Sequence, residues 1–332
     1  MRQYIIRRII ILIPLLIMIS IISFIIIQLP PGSYVEVYVR NLEQQGYVMG
    51  EYEVQRLKER YGLDRSLVIQ YLMWIKNFLL RGDLGRSFNY ERPVSEIILE
   101  RVPMTMLISM MAMVVTWLIA VPIGIYSAVK QYSIGDYVFT SFGFIGLALP
   151  NFLFALVLMY FVYVNTGWAV TGLFSSEYIF APWSLARFIN LIKNIWLPLI
   201  VIATAGTAGL IRILRGTLLD ELGKQYVITA RAKGMKESKL TFKYPVRMAI
   251  NPLISTIGWM LPAIVGGEIV VSYVLNLKTI GPILLAAVQT EDMYLAGAII
   301  MILSTLTVIG TLISDILLVW LDPRIRFEKR MR

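Results

Sequence analysis

The sequence predicts an all-α membrane protein with six transmembrane helices, and two features lead to that prediction. First, 58% of the 332 residues are hydrophobic and 16% are charged, whereas soluble domains carry roughly 25% charged residues. Second, six apolar segments reach the roughly 17–25 residues that cross a bilayer as a helix. These segments are Ile9–Leu29, Met104–Val129, Val138–Val164, Ile195–Ile211, Ala249–Leu275 and Leu295–Leu321.

The first apolar segment follows a short basic N-terminus, Met1–Arg8. A cleaved signal peptide is the alternative interpretation. A signal peptide has an apolar core of ~7–15 residues followed by a small-x-small cleavage pattern, but Ile9–Leu29 is longer and is followed by Pro30 and Pro31. We therefore predict a retained first helix with its N-terminus inside.

Residues 30–102 differ from the rest, because they hold ten Lys or Arg and ten Asp or Glu. Periodicity predicts amphipathic helices at Glu51–Tyr61 and Ser66–Leu80, and a shorter helix, Val94–Glu100, should end at Pro103. We predict a small helical extracytoplasmic domain between helices 1 and 2. The predicted divisions are residues 1–102, a transmembrane domain at 103–321 and a cytoplasmic tail at 322–332.

The placement of basic residues predicts the orientation. The N-terminus, the inner loops and the tail hold 18 Lys or Arg, whereas the short outer loops hold only Arg187, Lys193 and Lys278. Because basic residues accumulate on the cytoplasmic side, we predict that both termini are cytoplasmic. The net charge of +10 then reflects orientation and attraction to membrane lipid, not a nucleic-acid partner.

The longest polar interval in the C-terminal two-thirds is Leu222–Arg247, within a loop predicted at about 213–247. Two short helical runs, Lys224–Lys233 and Lys236–Tyr244, should meet at Gly234, a residue that ends or bends helices. We predict that this basic, broken helix docks on another cytoplasmic protein. An ordinary basic inner loop without a partner is the alternative.

Several chemistries are excluded by composition. The chain has no cysteine and no histidine, which removes disulfides, thiolate nucleophiles, imidazole bases and Cys/His metal sites. It also lacks the G-x-x-x-x-G-K-[ST] phosphate-binding loop. We therefore predict no catalytic residue, no metal and no cofactor, and any energy from ATP must arrive through contact with another subunit.

The segment Tyr226–Gly234 reads YVITARAKG and resembles the transmission motif of ABC-importer permeases. Ile228–Ala230 stands in its Glu-Ala-Ala position and Gly234 at its glycine, while the apolar-Pro element that usually follows is absent at Tyr244–Arg247. The TARAKG form is typical of the dipeptide/oligopeptide permease family, whose members have a long first outer loop. Further landmarks in family order are Tyr61–Asp64, Gly82–Phe88, Arg92–Val94, Arg101–Thr105, Gly146–Phe152 and Leu321–Arg326.

This resemblance implies the type I ABC importer permease architecture in the inner membrane. It implies four kinds of partner: a homologous second permease, two cytoplasmic ATP-binding subunits, an extracytoplasmic solute-binding protein and membrane lipid. It also implies that the chain is a transport subunit, not an enzyme. The residues expected to couple to the ATPase are Tyr226, Thr229, Ala230, Arg231, Ala232, Lys233 and Gly234.

Two carboxylates lie inside predicted spans, where each costs ~2.5–3.5 kcal/mol at the helix centre. Glu268 follows Pro262 and the pair Gly266–Gly267, so helix 5 should bend there. We expect these four residues to line the pathway or form a gate, with helix packing as the alternative. Asp315 lies near the inner end of its helix, and we expect an interhelical or interfacial hydrogen bond.

The cargo expected from the resemblance is a dipeptide or an oligopeptide. The chain departs from most peptide permeases at Ser272, where they usually carry Glu, and at Thr279–Gly281, where they carry Gly-Leu-Gly. Oligosaccharide, nickel or opine cargo is therefore the alternative within the class. Outside the class, the alternative is an ion-coupled secondary carrier that uses Glu268.

Overall fold

The computed structural model describes residues 2–28, 50–61, 65–87, 89–257, 260 and 269–321, together with positions 39, 43 and 46–48. Over these residues the regular elements are helices, apart from one β-bridge between Arg86 and Pro93. The helices are α1 Arg2–Gln28, α2 Glu51–Tyr61, α3 Leu67–Arg81, α4 Val94–Val129, α5 Ile134–Ala148, α6 Asn151–Thr166, α7 Leu185–Leu222, α8 Gln225–Ala232, α9 Glu237–Lys243, α10 Pro245–Ala249, α11 Ile269–Val274, α12 Ile280–Gln289 and α13 Met293–Leu321.

The described residues contain four helices long and apolar enough to cross a membrane, α1, α4, α7 and α13. The predicted span Val138–Val164 is divided in two, because α5 and α6 meet at 106° around Pro150, and the pair is apolar and long enough to form either one broken span or a re-entrant loop. The remaining predicted span, Ala249–Leu275, is only partly covered. It contains residues 258–259 and 261–268, which lie outside the described residues.

Helix α4 corrects the expectation that Pro103 ends a helix. It runs for 36 residues with Pro103 and Pro122 inside it. Proline removes one backbone hydrogen bond, and hydroxyl groups and local adjustments make this tolerable in membrane helices. At Pro103 the bond lost is the one to the Leu99 carbonyl, and the helix continues beyond it. The helix also crosses the predicted boundary between residues 102 and 103, and that division stays a prediction.

Helix α7 is much longer than the predicted Ile195–Ile211, and residues 185–194 are helical instead of belonging to a linker. Ser184 caps its start by accepting a hydrogen bond from the Arg187 backbone N–H at 3.2 Å. Its 38 residues extend roughly 57 Å at 1.5 Å per residue. Because a hydrocarbon core is about 30 Å thick, the helix continues well beyond the membrane.

The helix α7 is the centre of the packing, since it has extensive contacts with α4 and also contacts α5, α6 and α10. Glycines allow the close approaches. A Cβ at Gly124 of α4 would lie 3.0 Å from Leu214, and one at Gly146 of α5 would lie 2.9 Å from Thr204.

The first and last spans pack against each other in opposite directions. Arg8 of α1 forms an ion pair with Asp315 of α13 at 3.0 Å, so the interhelical bond predicted for Asp315 is confirmed. Because Arg8 is near the start of α1 and Asp315 near the end of α13, both helix termini lie at one end of the assembly. We call it the inner end and the opposite end the outer end.

At the outer end, the N-terminal region is attached to both of these spans. On α3, Tyr71 shares a 2.8 Å hydrogen bond with Ser20 of α1. The buried Asp292 precedes α13 and accepts hydrogen bonds from the Ser87 hydroxyl and, at 3.2 Å, from the Asn89 backbone N–H. Helix α3 and the turn around Ser87 are therefore attached to α1 and to the start of α13.

Candidate functional site

The basic segment at the inner end forms two short helices, α8 and α9, that begin and end within one residue of the predicted runs Lys224–Lys233 and Lys236–Tyr244. Gly234 ends the first of them as predicted, with a left-handed φ of 75°. Its N–H donates to the Arg231 carbonyl at 3.0 Å, and the Met235 N–H donates to the Ala230 carbonyl at 3.3 Å. These two bonds are the Schellman pattern of a helix end.

The requirement for glycine at position 234 is conformational and not steric. A Cβ built on Gly234 would meet no atom within 4 Å. A left-handed conformation nevertheless costs an L-residue roughly 1–2 kcal/mol. The left-handed backbone of Gly234 therefore fixes the bend. The open space around it leaves room for a neighbouring protein.

An exposed ion pair bridges this bend. The Arg231 guanidinium donates two hydrogen bonds to the Glu237 carboxylate, at 2.5 and 3.2 Å. These bonds hold the pKa of Glu237 below its ordinary value. Arg231 thus has a partner within its own chain. The expectation that Arg231 and the exposed Lys233 couple to the ATPase stays a prediction.

Two fully buried apolar side chains anchor the segment, while other apolar side chains on it are exposed. Val227 and Leu240 are fully buried. By contrast, Ile228 on α8 is 47% exposed and Phe242 on α9 is 63% exposed. Among the other predicted coupling residues, Thr229 and Ala232 are exposed and Ala230 is half-buried.

Tyr226 stabilises the start of the segment. Its hydroxyl donates to the Glu221 carboxylate at the end of α7, and its ring meets the Tyr244 ring edge-on at 6.5 Å between centroids. Burial, followed by the bond to Glu221, raises the pKa of Tyr226. The hydroxyl therefore remains protonated and bound at neutral pH.

The segment continues into helices that pack directly on α7. In α10, Val246 and Ala249 belong to the same buried apolar cluster as Leu214 and Leu218 of α7. The Thr217 hydroxyl of α7 also donates to the Ala249 carbonyl at 3.2 Å. A displacement of α8 and α9 is therefore passed to the inner third of α7.

A second contact at the inner end was missed from the sequence. Asp136, at the start of α5, accepts two hydrogen bonds from the Arg215 guanidinium of α7, each 2.9 Å long. The Asp136 side chain is 3% exposed and also accepts from the Tyr132 backbone N–H and the Thr140 hydroxyl. A sequence signal existed, because Ser133-x-x-Asp136 is a capping pattern before an apolar run.

The predicted pathway residues Pro262, Gly266, Gly267 and Glu268 all lie outside the described residues. Their role as a lining or a gate stays a prediction. Within the residues that are described, no three Asp or Glu side chains are grouped closely enough to hold a metal ion.

These features define a class: a polytopic helical membrane protein whose longest helix leaves the membrane and carries a basic, glycine-broken segment. The chain belongs to the family described as binding-protein-dependent transport system inner membrane component. The model of that family matches residues 120–327, and the model of its N-terminal part matches residues 1–110. This confirms the family predicted from the TARAKG segment, whose members are transport subunits and not enzymes.

Similar proteins cover the whole length. The oligopeptide transport system permease protein AppB of Bacillus subtilis (strain 168) is 37% identical over 98% of this chain and 100% of its own length. A putative peptide permease protein of Brucella ovis is 30% identical over 98% of this chain and 99% of its own. The nickel import system permease protein NikB of Staphylococcus aureus is 28% identical over 98% of this chain and 92% of its own.

Proposed function

We propose that this chain forms half of the translocation pathway of a peptide importer and is driven by ATP-binding subunits that grip α8 and α9. The observation that carries the proposal is the continuous packing from the exposed face of α8 and α9, through α10, to α7. This arrangement lets a partner that moves the segment also move a membrane-spanning helix as a rigid body.

The proposed orientation places the inner end in the cytoplasm. The ion pair between Arg8 and Asp315 brings the start of α1 and the end of α13 to that end, and the 18 basic residues of the predicted inner segments favour the cytoplasmic side. The ATP-binding subunits would then meet α8 and α9 from the cytoplasm. A homologous second permease and an extracytoplasmic solute-binding protein would complete the importer.

Peptide cargo is the better-supported choice, because relatives at 37% and 30% identity carry the words oligopeptide and peptide in their names. The more distant relative named for nickel import keeps a second cargo open. Oligosaccharide and opine cargo remain alternatives within the class, and an ion-coupled carrier remains the alternative outside it.

The deciding experiment reconstitutes the chain with its second permease, ATP-binding subunits and solute-binding protein in liposomes. Uptake of labelled di- and oligopeptides should require ATP and should vanish with hydrolysis-deficient ATP-binding subunits. Labelled oligosaccharide and nickel in the same liposomes test the other cargoes. Uptake that follows an imposed ion gradient without ATP would contradict the proposal and support the carrier.

A further inference from the structure

The outer end contains a cleft of about 710 Å³ that none of the predicted site residues explains. We call it the outer cleft. Its walls come from the start of α4, the loop between α6 and α7, and the turn that follows α11. A cleft of this volume matches a small molecule, since ligand sites span roughly 300–1,000 Å³. It is too small to accept a folded protein domain.

The charge of the cleft is positive. Arg101, Arg187 and Lys278 contribute cationic side chains to its walls, and Glu100 contributes a carboxylate. The Glu100 carboxylate is already bound by the Arg92 guanidinium at 2.6 Å. The cleft therefore favours a negatively charged group over a positively charged one.

Arg187 is held in a fixed position at this wall. Its guanidinium carbon lies 4.7 Å from the ring centroids of both Phe174 and Trp183, an arrangement of the cation–π kind. Its terminal nitrogens donate to the carbonyls of Ala181 and Ile179. Its Nε is buried and has no hydrogen-bond partner, although a buried donor without one is costly.

The wall behind Arg187 is also fixed. The Asn190 side chain accepts from the Ser175 backbone N–H at 3.0 Å and donates to its hydroxyl at 2.9 Å. The Gly172 N–H donates to the Leu275 carbonyl at 2.7 Å. These bonds join the loop before α7 to α7 and to the end of α11, so the cation is presented by a preorganised surface.

From this arrangement we propose that the outer cleft binds the carboxylate of the cargo before it is translocated, with Arg187 as the principal positioning cation. The aromatic rings of Phe174 and Trp183 supply an apolar wall beside it. A peptide with a free C-terminus has the required chemistry, a carboxylate next to an apolar side chain. The inference rests on the proposed function, and it adds a recognition site outside the coupling segment.

The natural lack of cysteine gives a direct test. In the assembled importer in nanodiscs, Ser176→Cys places a single thiol of this chain in the exposed wall of the cleft. Ser66→Cys, exposed at the start of α3, is the matched control. Each thiol is reacted with an anionic sulfonatoethyl and a cationic trimethylammonioethyl methanethiosulfonate, and the rates are followed by mass spectrometry of this chain.

We compare the effect of Arg187→Gln at the two positions, because each thiol has its own neighbouring charge, Glu177 beside position 176 and Arg65 beside position 66. Arg187→Gln should lower the ratio of anionic to cationic rates at position 176 about three- to ten-fold, the effect of removing one nearby charge, and should leave the ratio at position 66 unchanged. Arg187→Lys should retain most of the ratio at position 176. A ratio at position 176 that is unchanged by Arg187→Gln, or that changes equally at position 66, would overturn the proposal.

The labelling rate in the presence of a peptide shows whether the bound carboxylate comes from the cargo. Trialanine should slow the anionic labelling of Ser176→Cys, and trialanine amide should not. Equal protection by both peptides would overturn carboxylate recognition. If only the cargo-free solute-binding protein slows the anionic labelling, the carboxylate that binds in the cleft belongs to that protein. This result would overturn the proposal that the cargo supplies it. ATP-dependent peptide uptake by the same complex reconstituted in liposomes reports separately on the proposed function, because labelling in nanodiscs requires no hydrolysis.

Discussion

The outer and inner ends of this protein share two structural features, which differ in their surroundings. Each end has a buried aspartate that ties a loop to a spanning helix, Asp292 outside and Asp136 inside, and each has a glycine with positive φ, Gly85 outside and Gly234 inside. A Cβ on Gly85 would meet Tyr294 at 2.5 Å, whereas one on Gly234 meets nothing. Gly85 is enclosed by packing, whereas Gly234 has open space around it.

Both aspartates bind groups on other elements. Asp292 accepts hydrogen bonds from the Ser87 hydroxyl and the Asn89 backbone N–H, and Asp136 accepts two from the Arg215 guanidinium. A bidentate charged pair is strong and directional, so the Asp136 contact should hold α5 firmly against α7.

The largest effect is expected from breaking the inner pair. Asp136→Ala should destabilise the chain by about 2–4 kcal/mol, because it leaves the partly buried Arg215 without its counter-charge. Thermal unfolding of the purified complex measures this. The double variant Asp136→Asn, Arg215→Gln is the control, and it should recover part of the loss. A single variant as stable as the wild type would contradict the role given to the pair.

The next effect is expected at Gly85, the glycine of the outer end that is enclosed by packing. Gly85→Ala should cost about 1–3 kcal/mol, since strain from positive φ adds to the close approach to Tyr294. Gly82→Ala, at φ 63° with open space around it, should cost only about 1 kcal/mol. Unfolding midpoints compare the two variants directly. Equal shifts would show that packing against Tyr294 adds nothing.

A smaller effect on stability, but a larger one on transport, is expected at the open inner end. Gly234→Val should cost about 1–2 kcal/mol and leave membrane insertion intact, because no atom is displaced. It should raise the ATP hydrolysed per peptide imported, since the bend between α8 and α9 is distorted. Gly234→Asn, which tolerates the left-handed conformation, should behave nearly normally. Normal coupling in the valine variant would contradict the role given to the bend.

The smallest effect is expected from the exposed pair across the bend. Glu237→Gln should leave the unfolding midpoint unchanged, because exposed ion pairs add little. The pKa of Glu237 is lowered in the folded chain. Its contribution is therefore present above the ordinary glutamate pKa and is lost as pH falls through the lowered folded value. A midpoint in the glutamine variant that shifts at neutral pH would show the pair to be stronger than expected.

Local patterns in the sequence were enough to predict much of the inner site. Helices α8 and α9 and the termination at Gly234 follow from short-range rules about helix ends, and α2 was predicted at its observed bounds. The pairing of Asp136 with Arg215 joins residues 79 positions apart. The capping pattern Ser133-x-x-Asp136 points to a role for Asp136 at the start of α5, but only the packing of α5 on α7 reveals Arg215 as its partner.

The errors at the outer end have a common cause. Pro103 and the polar start of α7 are local signals to stop a helix, but packing and side-chain bonds within the helix outweigh them. The short apolar helix α12 lies between two predicted spans and was not predicted. The outer cleft was missed for a similar reason, since its walls come from three segments distant in sequence.

Helix α7 gives the two ends a common axis. Arg187, at the outer cleft, and Arg215, bound to Asp136, are on this one helix, and at 1.5 Å per residue they lie roughly 42 Å apart along it. A tilt of about 5° would displace one of them relative to the other by roughly 4 Å, more than the length of a hydrogen bond. Occupancy of the cleft and the position of the proposed nucleotide-driven partner would then depend on each other through the tilt of α7.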